Sequence, residues 1–415
     1  MVKMSSRSPG PHLFSENQGT CWGIVLFYAI HVIAYRYTAM PNQLFYLAVL
    51  LLFVWELPNA LSRVRVTATV LGTALLFVGY VAAWAVVSLW EWVPGVTYRY
   101  LPTVSLSVLM LMLGTIWGAT RPPKAIVTTM AGMLWPLVLM TSGEIIVSPD
   151  LTRFGYGPLA MLVLPATLAL ERYAGLAALI LVMAASNHLT PLGAGLSGVA
   201  VFVWFRGHAV RTQLLKASIA ATLLAGLMIL TGSHGRILGT LNRLFEEDPT
   251  RTYLKTLFSE FIAISGGRGI GLMNVMALTE MDWVTEGRAA AGYFDDGVSL
   301  HSAYQTWLLE GGLLVTAAIS LIMFRAIREV RVVLGADPLV GATLAAWMAA
   351  LGVFGLYHQV QDAPQFWVTL GLTAGISSNY VRHRHPRLII RNLRDNQPQL
   401  CPKQQTDFRS QRQRV

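Results

Sequence analysis

The residues of this chain best suited to chemistry gather around His301. The stretch Ser299-Leu300-His301-Ser302-Ala303-Tyr304-Gln305-Thr306-Trp307-Leu308-Leu309-Glu310-Gly311-Gly312 closes a long polar segment and runs into an apolar one, 313–324. Ser302 and Gln305 have the spacing of a capping box, which predicts a helix starting near Ala303. His301 then stands just ahead of a helix N-terminus, where unpaired N–H groups and partial positive charge favour an anion, phosphate in particular. Histidine is also the side chain whose ordinary pKa best suits proton transfer near neutral pH. Glu310 is nine positions on, about half a turn out of phase on a regular helix, so it reads as a packing or supporting residue rather than a direct partner. It falls two to three turns inside the apolar stretch, where a charge needs a partner or a proton.

Arginine supplies the complement, because its planar fork of donors matches phosphate and stays charged. Arg153, Arg236, Arg243, Arg251, Arg268 and Arg288 lie on the outer face of the topology derived below. Within the segment 232–300, Asp248-Pro249 marks a helix start. Tyr253, Leu254, Leu257, Phe258, Phe261 and Ile262 then recur at helical spacing. Arg251, Lys255 and Ser259 share the opposite face, which predicts an amphipathic helix that presents Arg251 and Lys255 to water. It ends in Ser265-Gly266-Gly267-Arg268-Gly269-Ile270-Gly271. Such glycines let backbone N–H groups approach an anion beside Arg268, although a helix stop with a flexible turn is the simpler reading. No strand precedes them, so they do not make a nucleotide-binding turn. Acidic residues of the same segment pair with some of these arginines. Asp295-Asp296-Gly297 reads as a turn in preference to a divalent-metal site, which paired carboxylates would suit, because no further ligand spacing or cofactor motif is found.

The elements that must hold these groups are greasy. Of 415 residues 54% are hydrophobic and 13% charged, against about 25% charged in soluble domains. The net charge of +10 is therefore a matter of distribution and not a sign of nucleic acid. Cys21 and Cys401 are too far apart in sequence to suggest a disulfide framework. No small-residue cleavage site follows the first apolar run, which favours a retained span over a signal peptide. Apolar stretches of spanning character lie at 22–37, 44–61, 66–89, 101–119, 125–147, 158–170, 174–187, 192–205, 214–231, 303–324, 339–357 and 366–381. With the N-terminus inside, Arg63, Arg65, Arg121, Lys124, Arg172, Arg206, Arg211, Arg325, Arg328 and Arg331 fall on inner connections, as does the basic end. The short outer connections hold only Arg36, Arg99 and Arg153. The expected fold is all-α, a polytopic membrane protein of about twelve spans with one large outer loop containing an amphipathic helix. Its parts are an inner N-terminus (1–21), nine spans (22–231), the loop (232–300), three spans (301–381) and a basic inner tail (382–415). Two further buried ionisable groups, His31 and Glu56, can pair across neighbouring spans.

The pattern His-Ser-x-Tyr-x-x-x-Leu-x-Glu-x-Gly, here residues 301–312 after an arginine-rich loop, resembles the signature of O-antigen ligases and the related O-antigen and exopolysaccharide polymerases. The match is short, and the rest of the chain agrees mainly in layout. Arg251 is similar by position to the loop arginine of that family, and Arg153, in Arg-Phe-Gly-Tyr-Gly-Pro, to an outer-loop feature. Many relatives carry an arginine near the end of a central span; here Ala185-Ser186-Asn187-His188-Leu189-Thr190-Pro191 has none, and His188 is the polar group available. The resemblance implies a glycosyltransferase of the bacterial inner membrane with its active site facing the periplasm. The donor would be an undecaprenyl-diphosphate-linked glycan, and the acceptor a lipid A-core sugar or another glycan. His301 would be the base, and Arg251, Arg268, Arg153 and Lys255 would hold the diphosphate. Glu310, Tyr304 and His188 would support them, with no metal, no cofactor and no nucleic acid involved.

Two other classes stand beside this one. A lipid-glycan flippase or secondary transporter suits the span number, but such proteins commonly show two similar halves, and none is evident here. A peptidoglycan-type polymerase shares the lipid donor and usually relies on an outer-loop carboxylate, for which Asp295 or Asp296 would serve.

Overall fold

The computed structural model describes residues 21–37, 41–63, 68–147, 157–185, 189–207, 263, 265–272, 274–275, 302–356, 358 and 363–395. Every regular element among them is helical. They are α1 (Trp22–Tyr37), α2 (Pro41–Arg63), α3 (Ala68–Val87) with a short 3-10 turn Ser88–Trp90, and α4 (Val96–Thr120). Next come α5 (Pro123–Gly132), α6 (Leu134–Val147), α7 (Gly157–Ala169), α8 (Tyr173–Ala185) and α9 (Leu189–Arg206). After a brief helical piece before Gly311 come α10 (Gly312–Ala336), α11 (Pro338–Phe354) and α12 (Pro364–Asp395). Each falls on an apolar stretch read from the sequence. The stretch 214–231 and the amphipathic helix after Pro249 lie outside the described residues. The first part of the basic segment, as far as Asp395, continues α12 as helix.

Among the described helices the closest packing joins α4 to α12. Gly114 and Gly118 face Gly371 and Gly375, and a methyl group added at any of the four would collide with the opposite backbone. This is the small-xxx-small spacing by which helices touch main chain to main chain. Asn379 fastens the same crossing, donating from Nδ2 to the carbonyls of Gly118 (3.1 Å) and Ala119 (3.0 Å). A second crossing joins α9 and α11, where Gly198 packs under the Ala346 carbonyl. Buried Trp347 on α11 donates to Leu162 O on α7 at 2.7 Å. Asp337 caps α11, accepting from Leu339 and Val340 N–H at 3.1 and 3.2 Å, with Pro338 at the first helical position.

Among the described residues, the stretches Val70–Trp90 and Pro123–Gly143 are long and apolar enough to cross a membrane, and Trp22–Val32, Phe45–Leu61, Leu106–Thr120, Gly157–Ala169, Tyr173–Ala185 and Pro338–Phe354 are apolar but shorter. Leu51, Trp55, Leu61, Leu75, Trp204 and Phe324 are more than half exposed. Large exposed apolar side chains of this kind mark a surface that meets lipid or protein. The chain is thus compatible with membrane association.

The expected His31–Glu56 pair does not form. The Glu56 carboxylate lies against Gly23 near the start of α1, where Trp117 Nε1 (3.1 Å), Arg121 Nη2 (3.2 Å) and Asn59 Nδ2 (2.9 Å) donate to it. His31 is about two helical turns further along α1, edge-on to Phe45 at 5.1 Å between ring centres. The two groups sit at different depths, and an arginine from the α4–α5 connection reaches Glu56 instead.

Candidate active site

The predicted cap is present. Ser302 is buried and extended, and its Oγ accepts from Gln305 N–H at 3.5 Å. The helix begins at Ala303, and the turn is tied to the end of α11. Ala303 N–H is shared between the carbonyls of Gly355 (2.9 Å) and His358 (3.0 Å), and Tyr304 Oη donates to Gly352 O at 2.9 Å. His358, stacked on Phe354 with ring centres 4.4 Å apart, therefore neighbours the residues that follow His301 in sequence. It was not singled out in the sequence, because nothing in Tyr357-His358-Gln359 signals a link to a segment some fifty positions earlier.

The expected continuous helix through 303–324 is interrupted. Ala303–Gln305 passes into a wider π turn, Thr306–Glu310, in which Gly311 N–H reaches back to Thr306 O at 3.2 Å. Gly312 has φ +63°, and α10 starts there. Thr316 Oγ1 donates to Trp307 O at 3.0 Å, supporting the break with a side chain. Wider turns of this kind commonly re-aim groups at functional sites. The phase argument drawn for Glu310 on a regular helix no longer applies. Glu310 closes the π turn, just ahead of the break at Gly311-Gly312.

The break is filled by the glycine-rich turn. Ile270 N–H donates to Leu309 O (3.2 Å), Gly271 N–H to Glu310 O (3.0 Å), and Leu313 N–H to Gly267 O (3.0 Å). Buried Glu310 adds its side chain, Oε1 accepting from Val275 N–H at 3.1 Å. Glycine is required here for two reasons. Gly266, Gly267, Gly269 and Gly271 have φ of +57°, +81°, +86° and +104°. A Cβ at Gly269 would also strike the backbone of the break, 2.7 Å from Glu310 O. The alternative in which these N–H groups face an anion does not hold at Ile270 and Gly271, since both already have carbonyl partners.

A third segment locks on from the α3–α4 connection. Trp92 N–H donates to Ile270 O (2.9 Å), Trp90 Nε1 to Arg268 O (3.1 Å), and Val93 N–H to Asn274 Oδ1 (2.6 Å). Glu91 closes the start of α4 by accepting from Gly95 N–H and, at 2.6 Å, from Thr97 N–H. Beneath these segments an aromatic wall runs from Tyr304 through Trp307, Phe366 and Trp367 to Tyr80 and Trp84.

Of the predicted site residues, Arg268, Glu310 and Tyr304 are described: the turn that carries Arg268 is bonded to the segment that carries Glu310, while Tyr304 turns to the end of α11. Arg268 is exposed on the glycine-rich turn, Glu310 is buried under that turn, and Tyr304 is partly exposed on the capped helix. His301, Arg251, Lys255, Arg153 and His188 lie outside the described residues. So do Arg236, Arg243, Arg288, Asp295 and Asp296. Among the described residues no group of three or more His, Cys, Asp or Glu could hold a metal ion. Trp90, Asn274 and Glu91 escaped the sequence reading, though Glu91-Trp92-Val93-Pro94-Gly95 does carry turn residues between two apolar runs. A small cavity beside Thr73, Arg325 and Glu329 belongs to the opposite end of the bundle, about 25 Å along α3 from Trp90. No family model matches the chain, and no curated protein does either.

Proposed function

We propose that the protein is a membrane glycosyltransferase of the O-antigen ligase and polymerase type. It would cross the bacterial inner membrane about twelve times, with both ends in the cytoplasm and the site facing the periplasm. The observation that carries this reading is the union of the glycine-rich turn, with its exposed Arg268, and the capped helix that follows His301. Two distant segments, one contributing a guanidinium and the other adjoining an imidazole in sequence, meet at one end of the helical bundle.

In this reading the donor is an undecaprenyl-diphosphate-linked glycan, and its lipid enters from the side of the bundle. His301 takes the proton from the acceptor hydroxyl as that oxygen bonds to the anomeric carbon. The bond from the anomeric carbon to the diphosphate oxygen breaks, and the departing charge is met by Arg268 with Arg251, Arg153 and Lys255. A diphosphate is already a good leaving group, so no general acid is needed. A single displacement inverts the anomeric configuration. Glu310 and Tyr304 act as support, through the turn and the cap respectively, and His188 is assigned to the same supporting role.

The test is a gene deletion complemented with variants and read on surface-glycan gels. His301→Ala and Arg251→Ala are expected to abolish transfer while the proteins remain expressed and inserted. Full activity of the His301→Ala protein would overturn the mechanism. Accumulated lipid-linked polymer in the deletion strain identifies a ligase, single lipid-linked units a polymerase, and loss of all surface polymer a flippase.

A further inference from the structure

We propose that Trp90, with Trp92 two positions on in the same connection, is an aromatic seat for the first sugar of a lipid-linked donor, next to the diphosphate held by Arg268. The inference rests on the transferase reading and adds a subsite to it. Trp90 is 41% exposed and Trp92 36%, both on the connection that locks onto the glycine-rich turn.

The hydrogen bonding of Trp90 separates it from an ordinary membrane-belt tryptophan. In such a belt the ring lies in the apolar layer and its N–H serves water or lipid headgroups. Here the N–H points into the protein and is taken up by Arg268 O at 3.1 Å. What remains outward is part of the apolar ring, fixed in position beside the residue whose side chain carries positive charge. Arg268 itself is exposed and forms no ion pair among the described residues. The ring is held before any ligand arrives, by a turn bonded through Ile270 and Gly271 N–H to the break before α10, so little ordering cost falls on binding. Leu89 and Leu313, 79% and 66% exposed, lie on the same segments and offer an apolar flank.

This juxtaposition fits a ligand with three parts in series: a lipid tail on the apolar flank, a phosphate on the guanidinium, and a pyranose whose C–H face stacks on an indole. A phospholipid shares the first two parts and lacks the third.

The test measures binding to the full-length protein in nanodiscs, using undecaprenyl diphosphate with and without a single N-acetylglucosamine. The wild type is expected to bind the sugar-bearing lipid roughly 10-fold more tightly than the bare one. Trp90→Leu is expected to remove that preference, and Trp90→Phe to keep most of it. Both variants lose the hydrogen bond to Arg268, so the difference between them isolates the aromatic face. Melting temperature is followed throughout. Should Trp90→Leu fail to fold, Trp92→Leu is read instead, and an unchanged sugar preference there overturns the proposal. Parallel loss of both lipids in the Leu and Phe variants indicates a purely structural tryptophan and also overturns it. A wild type that binds both lipids equally overturns the sugar seat and leaves the transferase reading standing. Failure of the wild type to bind either lipid removes both.

Discussion

Removing the Glu310 carboxylate should open the junction between the glycine-rich turn and the start of α10. Val275 is fully buried, and its N–H donates to Glu310 Oε1 at 3.1 Å. In Glu310→Ala that buried donor loses its acceptor, a cost of about 1–3 kcal/mol. Every 1.4 kcal/mol is tenfold in an equilibrium, so local opening becomes roughly 5- to 150-fold more frequent. Glu310→Gln keeps an oxygen in the same place and should recover most of the loss. The assay is amide hydrogen exchange by mass spectrometry on peptides spanning 265–275 and 303–313. The exchange of α4 and α12, which are joined elsewhere, serves as the internal control. Unchanged protection at 265–275 in Glu310→Ala would refute the latch. Equal damage from Gln and Ala would refute it differently, by showing that the negative charge rather than the acceptor oxygen matters.

Two other predictions concern the frame. Gly371→Leu should force α4 and α12 apart, because the added side chain meets the Leu111 carbonyl and no rotamer relieves a backbone clash. The expected cost is about 3 kcal/mol, read as a lower melting temperature in detergent, while Gly79→Leu, where a Cβ meets nothing within 4 Å, is the neutral control. Glu329 lies beyond the apolar part of α10, and burial lifts its pKa from 4.5 to about 7 against the pull of Arg325, which donates to it at 3.0 Å. The folded state then holds a proton that the unfolded state has released, so stability should fall as pH rises from about 4.5 to about 7 and level off above. Glu329→Gln should flatten that slope in melting curves, and an identical slope in the variant would reject the assignment.

Much of the frame is legible in the order of residues. Runs of apolar side chains long enough for a helix leave the backbone little choice, because in a greasy setting the helix pairs its own polar groups. The described helices fall on the expected stretches for this reason. The start at Ala303 is equally local, since Ser302 needs only the N–H three residues on. The α4–α12 crossing belongs to the fold instead: the spacing of Gly114 with Gly118 and of Gly371 with Gly375 stands in the sequence, but it takes both helices together to give it a meaning.

Other features were decided by partners distant in sequence. Within residues 303–312 the pair Gly311-Gly312 permits a break, but nothing there requires the helix to widen before it. The break is supported by carbonyl partners that the turn at 267–271 supplies. Glu310 looks, in its own context, like a charge in the middle of a span; it becomes a latch because Val275 comes to it. Glu56 was offered His31 by adjacency of helices and bonds Arg121 instead, because depth along the helix axis is fixed by packing. Local sequence sets which hydrogen bonds a segment can make for itself. The bonds it must take from elsewhere depend on which other segment arrives, and that is a property of the tertiary fold alone.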